Sequence, residues 1–182
     1  MASPSGTNSH TRIAIISDTH GIIDDQVIEV IKSCDQVIHA GDICGAHILA
    51  QLEQLSDKVT AVAGNNDASG LWPVEETHIV TALPQIAQID LPGGRIKIEH
   101  GHRHGMHQPC HDSLRHTHSD ARLIIYGHTH SMLVDKDEQP WVANPGAAGH
   151  TRTRGGSSCL VLTASEKDWD LEMIRFKLDE VA

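Results

Sequence analysis

"ISDTHG", residues 16–21, closes an apolar run that begins at Ile13 and ends in a carboxylate and an imidazole two positions apart. A short continuous apolar run is the pattern of a strand covered on both faces. The residues downstream of it decide the fold. In "GIIDDQVIEVIKS" (21–33), Ile23, Val27, Val30 and Ile31 fall at i, i+4, i+7 and i+8, one stripe of a helix. "DQVIHAGD" (35–42) reads as a second strand, and "GAHILAQLEQL" (45–55) as a second helix with Ile48, Leu52 and Leu55 in line. "KVTAVAGNND" (58–67) is a third strand ending in a glycine turn. Strand–helix–strand–helix–strand at this spacing predicts an α/β fold on a parallel sheet with right-handed crossovers.

Beyond residue 84 the pattern changes. "QIAQIDLPGGRIKIEHGH" (85–102) is two alternating runs around Pro-Gly-Gly, a hairpin signal. A His-rich stretch comes next, with a short helix expected from about 109 to 119. "RLIIYGHTH" (122–130), "SMLVDKDEQPWVAN" (131–144), "SSCLVLTA" (157–164) and "WDLEMIRFKL" (169–178) are all strand-like. The second half therefore reads as an antiparallel-leaning sheet with one helix. Together the halves predict two sheets packed face to face between helices, in a single domain over 12–182. The polar opening "MASPSGTNSH" reads as part of a flexible leader over 1–11.

The chain has 182 residues and 39% hydrophobic content, enough for one domain with a substantial core. No run approaches the roughly 20 apolar residues of a membrane span, and no basic-then-apolar secretory pattern stands at the start. Cys34, Cys44, Cys110 and Cys159 show no CxxC spacing, which suits reduced thiols and a cytoplasmic setting. The net charge of -10 argues against long nucleic acid as a partner, while leaving room for a small anion at a local cationic site. Fifteen histidines against one Phe and one Tyr ask for an explanation, whether metal, catalysis or a tag-like accident.

Each predicted strand ends in the same kind of residue: Asp18 and His20 after the first, Asp42 in "HAGD", Asn65 in "GNND", His100 in "EHGH", His128 and His130 in "YGHTH". In open α/β sheets functional groups gather at the carboxyl ends of strands, so these turns should converge. Two carboxylates, an amide oxygen and four imidazoles suit borderline divalent metals such as manganese, iron, cobalt, nickel or zinc. Seven ligands divide between two ions if one carboxylate bridges, and a metal pair about 3.5–4 Å apart can activate water and neutralise a phosphoryl group. Any one of these motifs alone is ordinary turn chemistry. Five of them at successive strand ends are not.

"SDTHG", "HAGD", "GNND", "HGH", "GHTH" and "NPGA" occur in the order seen in the calcineurin-like metallophosphoesterases, which this chain resembles from about residue 12 to 163. The likeness is to the small single-domain branch that includes YfcE-type phosphodiesterases and the retromer scaffold subunit. The resemblance implies a four-layer α/β/β/α sandwich with a dinuclear site. It places Asp18, His20 and His130 on one metal and Asn65, His100 and His128 on the other, with Asp42 bridging. A metal-bridging hydroxide is then the nucleophile of a phosphodiesterase, manganese is the first choice of ion, and a small phosphate ester is the substrate. The pairs Asp18/His20 and His128/His130 are each two residues apart, so on extended backbone each pair shares a face.

One departure concerns the proton of the leaving group. Larger members carry a histidine after the ligand asparagine, and here Asn66 stands there. An amide cannot act as a general acid, though it can bind a phosphate oxygen. His102, two residues past His100, is the candidate acid. Arg152, after "NPGAAG" and near His150 and Arg154, is the candidate for cationic help with the phosphate. His104, His107, His111, His116 and His118 read as surface or rim residues, and His39 as a packed residue supporting the site. The competing function is an interaction scaffold of the same fold, and a second copy of the chain is a further candidate partner. Every ligand position is filled, which favours the enzyme.

Overall fold

The computed structural model describes residues 10–177. The strand that carries "ISDTHG" is β1 (Thr11–Ile16), whose last four residues are buried. It begins inside the stretch expected to be leader; residues 1–9 and 178–182 lie outside the described residues. The chain continues through α1 (Asp25–Lys32), β2 (Gln36–His39), α2 (Ala46–Leu55) and β3 (Val59–Ala61). Asp24 caps α1 by accepting from the Gln26 N–H at 2.8 Å. That cap starts the helix after Ile23, yet Ile23 still packs with Val27 and Ile31 in the core. A 3-10 turn (Val74–Glu76) and α3 (Thr77–Ala82) come next. Neither was legible, because "VEETHIVTA" is too short to show a period.

The remaining elements are β4 (Ile86–Leu91), β5 (Gly94–Glu99), α4 (His111–Thr117), β6 (Leu123–Ile125), β7 (Leu133–Asp135), β8 (Trp141–Asn144), β9 (Ser158–Ala164) and β10 (Trp169–Arg175). They form two mixed five-stranded sheets, ordered β10-β9-β1-β2-β3 and β4-β5-β6-β8-β7. β1, β2 and β3 pair in parallel as expected. Two expectations for the second half are corrected. β9 and β10 join the first sheet by antiparallel pairing with β1 and with each other. The centre of the second sheet, β5-β6-β8, is parallel rather than antiparallel. α4 supplies the crossover between β5 and β6, and a crossover of that kind brings the next strand back in the same direction.

The sheets face each other across one apolar layer, with Ile13, Ile15 and Ile38 from the first meeting Ile96, Ile98 and Leu123 from the second. The alternate residues Ala14, Ile16 and Val37 turn outward and are covered by Val27, Ile31, Ile48 and Leu52 of α1 and α2. On the far side, Leu114 of α4 covers Ile124 and Val142. This is the four-layer sandwich. β1 from Ile13 to Ile16 and β6 are buried on both faces, which is why these stretches are continuous apolar runs. The arrangement turns the ends of β1, β2, β5 and β6 toward one another.

Candidate metal centre

The ladder between β1 and β2 does not stop at the strand ends. Asp18 N–H donates to Gly41 O at 3.0 Å, His20 N–H to Asp42 O at 3.0 Å and Gly21 N–H to Ile43 O at 2.9 Å. Asp18 and His20 sit in this continuation with φ of 53° and 47°, Asp42 with 56°, and His128 and His130 with 71° and 55°. The i, i+2 spacing of Asp18/His20 and of His128/His130 therefore does not come from an extended strand, as alternation suggested. It comes from paired left-handed residues, a conformation that costs non-glycine residues about 1–2 kcal/mol each and collects at functional sites. Two close approaches fix these turns. A Cβ at Gly127 would overlap the Ser17 hydroxyl, and one at Gly41 would come within 2.7 Å of His100 Nδ1.

Asp18, His20 and His130 bring one donor atom each within 4.8 Å of the others, and so do Asp18, Asp42 and His100. His20 Nε2 faces His130 Nε2 at 3.1 Å, and His130 Nε2 lies 3.4 Å from Asp18 Oδ1. Asp42 spans the two groups, with Oδ1 3.4 Å from His100 Nε2 and Oδ2 3.8 Å from His20 Nε2. Asn65 and His128 stand at the rim, joined by a 2.9 Å contact between Asn65 Oδ1 and His128 Nδ1. The other nitrogen of His128 meets Met106 O at 2.8 Å, and its ring lies 5.3 Å from that of His100. Five of the seven expected ligands are thus grouped by their donor atoms, with His128 and Asn65 beside them at the rim.

The donor atoms are set up to accept a cation. His100 donates its Nδ1–H to Ala40 O at 2.8 Å and His130 donates its own to Thr151 O at 3.2 Å, which turns both Nε2 atoms inward. Asp18 Oδ1 and His100 Nε2 are fully buried and have no hydrogen-bond partner among the described residues. Buried polar atoms are almost always paired, so two orphans in the middle of a nitrogen–oxygen cluster fit a metal site. Burial raises the Asp18 carboxyl to about 7 against the pull of His100 and Ser17. Burial also opposes charge on His100, but Asp42 and Asp18 outweigh it and raise that imidazole to about 9. Burial works to raise the Asp42 carboxyl, yet His100 and the Asn66 donors together hold it below its ordinary value. Burial first, then the charge of Arg152, lowers His130 to about 4.

The supporting residues are partly those the sequence named. His39 is buried, accepts the Gly41 N–H at Nδ1 and donates Nε2–H to Thr19 Oγ1 at 2.9 Å. Thr19 donates its hydroxyl to Ile43 O at 3.2 Å, and Ser17 donates to Asp18 Oδ2 at 2.7 Å, so the residues beside the ligands brace the turn. Asn66, expected to bind a phosphate oxygen, gives both its backbone and its amide N–H to Asp42, at 2.8 and 2.7 Å. His102 stands beside the cluster, 5.5 Å ring to ring from His100, with a buried unpartnered Nδ1. Burial, then the charges of His100 and His128, lowers its pKa. Arg152 donates to His20 Nε2 at 3.3 Å. His150 turns away to Asp24, 3.3 Å distant, and is not part of the site.

Two residues were missed. The buried Asp67 carboxylate accepts from the N–H groups of Ile43, Cys44 and Gly64 and from the Trp72 indole, tying the "GNND" turn to the turn after β2. The signal was present, since an Asp closing a Gly-rich turn is a common backbone acceptor. Asn144 of "NPGA" donates to Gly127 O at 2.7 Å and Thr129 Oγ1 at 3.0 Å, holding the "GHTH" turn. The histidines expected at the surface are also corrected in part. His104 and His118 both meet Glu99 Oε1, at 3.0 and 2.5 Å, and His111 bridges Asp135 and Tyr126. Inward-facing helix positions and a buried acid draw them in.

Residues 11–167 match the calcineurin-like phosphoesterase superfamily domain, and the chain belongs to that family. A phosphodiesterase from Methanocaldococcus jannaschii is 28% identical over 145 residues, covering 74% of this chain and 82% of that protein. A probable metallophosphoesterase from Methanothermobacter thermautotrophicus is 28% identical over 172 residues, covering 90% and 91%. Vacuolar protein sorting 29 from Cryptosporidium parvum superposes with a TM-score of 0.71 at 16% identity, covering 93% of this chain and 99% of that one, and shares its fold.

Proposed function

We propose that the protein is a phosphodiesterase that hydrolyses a small phosphate ester with two divalent ions held at this centre. The observation that carries the reading is the pair of buried, unpartnered atoms, Asp18 Oδ1 and His100 Nε2, inside a cluster of carboxylates and imidazoles. Asp18, His20 and His130 would hold one ion, and Asn65, His100 and His128 the other. Asp42, whose two oxygens face the two groups, would join them. Manganese is the first choice, with nickel, iron, cobalt and zinc suited to the same donors. Such an ion pair polarises phosphoryl oxygens and lowers the pKa of bound water.

The chain's own residues do the rest. Asn66 keeps Asp42 in one orientation through two hydrogen bonds. Arg152 stands over His20 where a non-bridging phosphate oxygen would need a positive partner. His102, beside His100 with an unpartnered Nδ1, would hydrogen-bond the leaving oxygen. Its lowered pKa keeps the ring neutral at rest, so leaving groups that need little protonation, such as aryl oxides, should react fastest. Met106 O and Asn65 Oδ1 meet the two nitrogens of the His128 ring, and one of these contacts would give way when that nitrogen takes the ion.

The test is hydrolysis of an aryl phosphodiester with Mn, Ni or Zn supplied. Asp42→Asn should lower kcat/KM by about a thousandfold or more, the effect of breaking a two-metal clamp, with the folded state retained. No hydrolysis of any aryl phosphate ester by the metal-loaded protein would contradict the reading. It would turn attention to the scaffold alternative, for which the exposed Leu71 and Val74 offer an apolar contact.

A further inference from the structure

A cleft opens beside the candidate metal centre and leads away from it. Its first chamber, about 450 Å³, is lined by His128 and His130 at one end and by His107, Arg152 and Arg154 along its walls. A second chamber of about 170 Å³ shares His107, Thr129 and Arg154 with the first and reaches Tyr126 and Leu133. Among the described residues no carboxylate lines either chamber. That is unexpected in a chain with 24 acidic and 14 basic side chains.

The two guanidinium groups are chemically free. Arg152 spends one N–H on His20 Nε2, and Arg154 spends its Nε–H on Thr129 O at 3.2 Å. Neither forms an ion pair among the described residues, whereas Arg95, Arg103 and Arg115 all do. The Thr129 carbonyl that anchors Arg154 belongs to the residue between His128 and His130, so the guanidinium is tied to the ligand turn itself. The remaining Arg154 donors face the cleft at the junction of its chambers. An arginine fork matches the geometry of a phosphate, and a phosphate there would meet positive charge with no competing acid.

We infer that the cleft is a second anion subsite, and that the substrate is a phosphodiester carrying a further terminal phosphate on its retained alcohol. The scissile phosphate sits at the metal cluster beside Arg152, the terminal phosphate between Arg154 and His107, and the carbon linker crosses the 450 Å³ chamber. This rests on the phosphoesterase reading for the scissile group, but the subsite itself binds phosphate whether or not turnover occurs.

Two measurements on the full manganese-loaded chain separate the claims. Calorimetry compares propane-1,3-diol bisphosphate with inorganic phosphate. The bisphosphate should bind about tenfold tighter, the gain from one further engaged arginine. Arg154→Ala should reduce that ratio about tenfold and Arg154→Lys by less, because lysine keeps the charge and loses the fork. Equal affinity of the wild-type protein for the two probes would overturn the subsite, as would a ratio untouched by Arg154→Ala. Kinetics then compare two 4-nitrophenyl diesters that differ only in a terminal phosphate on the other alcohol. A preference for the phosphate-bearing ester, expressed in KM and reduced in Arg154→Ala, supports the proposal. Tight bisphosphate binding without hydrolysis of either ester would leave the subsite standing and overturn the enzyme reading alone.

Discussion

Glu99 and His100 are neighbours at the end of β5, yet they belong to two buried carboxylate–histidine clusters with opposite properties. On one side, Glu99 accepts from His104 and His118 on one oxygen and meets Arg103 at 3.4 Å on the other, while Ser113 bonds the second nitrogen of His104 at 2.8 Å. None of these side-chain atoms is among the buried ones lacking a partner. On the other side, His100 meets Asp18 and Asp42 at 3.4–3.9 Å, two buried atoms have no partner, and five of the expected ligands adopt left-handed backbone. Both clusters bring their donor atoms within 4.8 Å. Residue type and proximity do not distinguish a ligand set from a structural network. Hydrogen-bond satisfaction and backbone strain do. The Glu99 cluster closes on itself and pins the 102–104 turn that carries His102, whereas the Asp18/Asp42 cluster waits for a cation.

That contrast can be broken most forcefully at Glu99. Glu99→Gln removes the charge that two imidazoles and a guanidinium share, and should lower stability by about 3 kcal/mol, or Tm by about 6–12 °C. Metal content should not change. Thermal melting with metal analysis of the same sample checks this, and a lost ion would make the Glu99 cluster a ligand set. A smaller effect is expected at Asp67. Asp67→Asn keeps the shape but halves the acceptors offered to Ile43, Cys44, Gly64 and Trp72, and should cost about 1–3 kcal/mol. It should also weaken metal binding, because the turns holding Asp42 and Asn65 lose their tie. Retained affinity in a destabilised variant would limit Asp67 to folding. The smallest effect is at His102, where His102→Gln should slow esters of poorly acidic alcohols about tenfold while sparing nitrophenyl esters. A series of leaving groups measures it, and a uniform loss would mean that His102 positions His100 rather than aids departure.

Much of this was written in the chain in a form that local rules can read. The strands β1 and β6 announce themselves as unbroken apolar runs because both faces are covered, and α1 and α2 show a stripe because only one is. The ligand candidates were legible because a fixed set of turns recurs at the ends of those strands. What stayed hidden depended on contacts far apart in sequence. β9 pairs with β1 across about 150 residues, and nothing in "SSCLVLTA" says which sheet it joins. His104 and His118 looked like surface residues because their partner, Glu99, is revealed only when α4 packs on the second sheet. The alternation rule explained why Asp18 and His20 point together, but for the wrong reason. Their shared direction comes from left-handed residues in a ladder between two loops, and no propensity forecasts that in Asp and His.

The central claim is that the strand-end cluster binds two ions and the Glu99 cluster none. The most direct measurement is metal content per chain by elemental analysis after loading with manganese and exhaustive dialysis, on wild type, Asp42→Asn and His118→Ala. The expected result is two ions in wild type and in His118→Ala, and one or none in Asp42→Asn. Fewer ions in His118→Ala with two retained in Asp42→Asn would reverse the assignment of the two clusters and contradict the account.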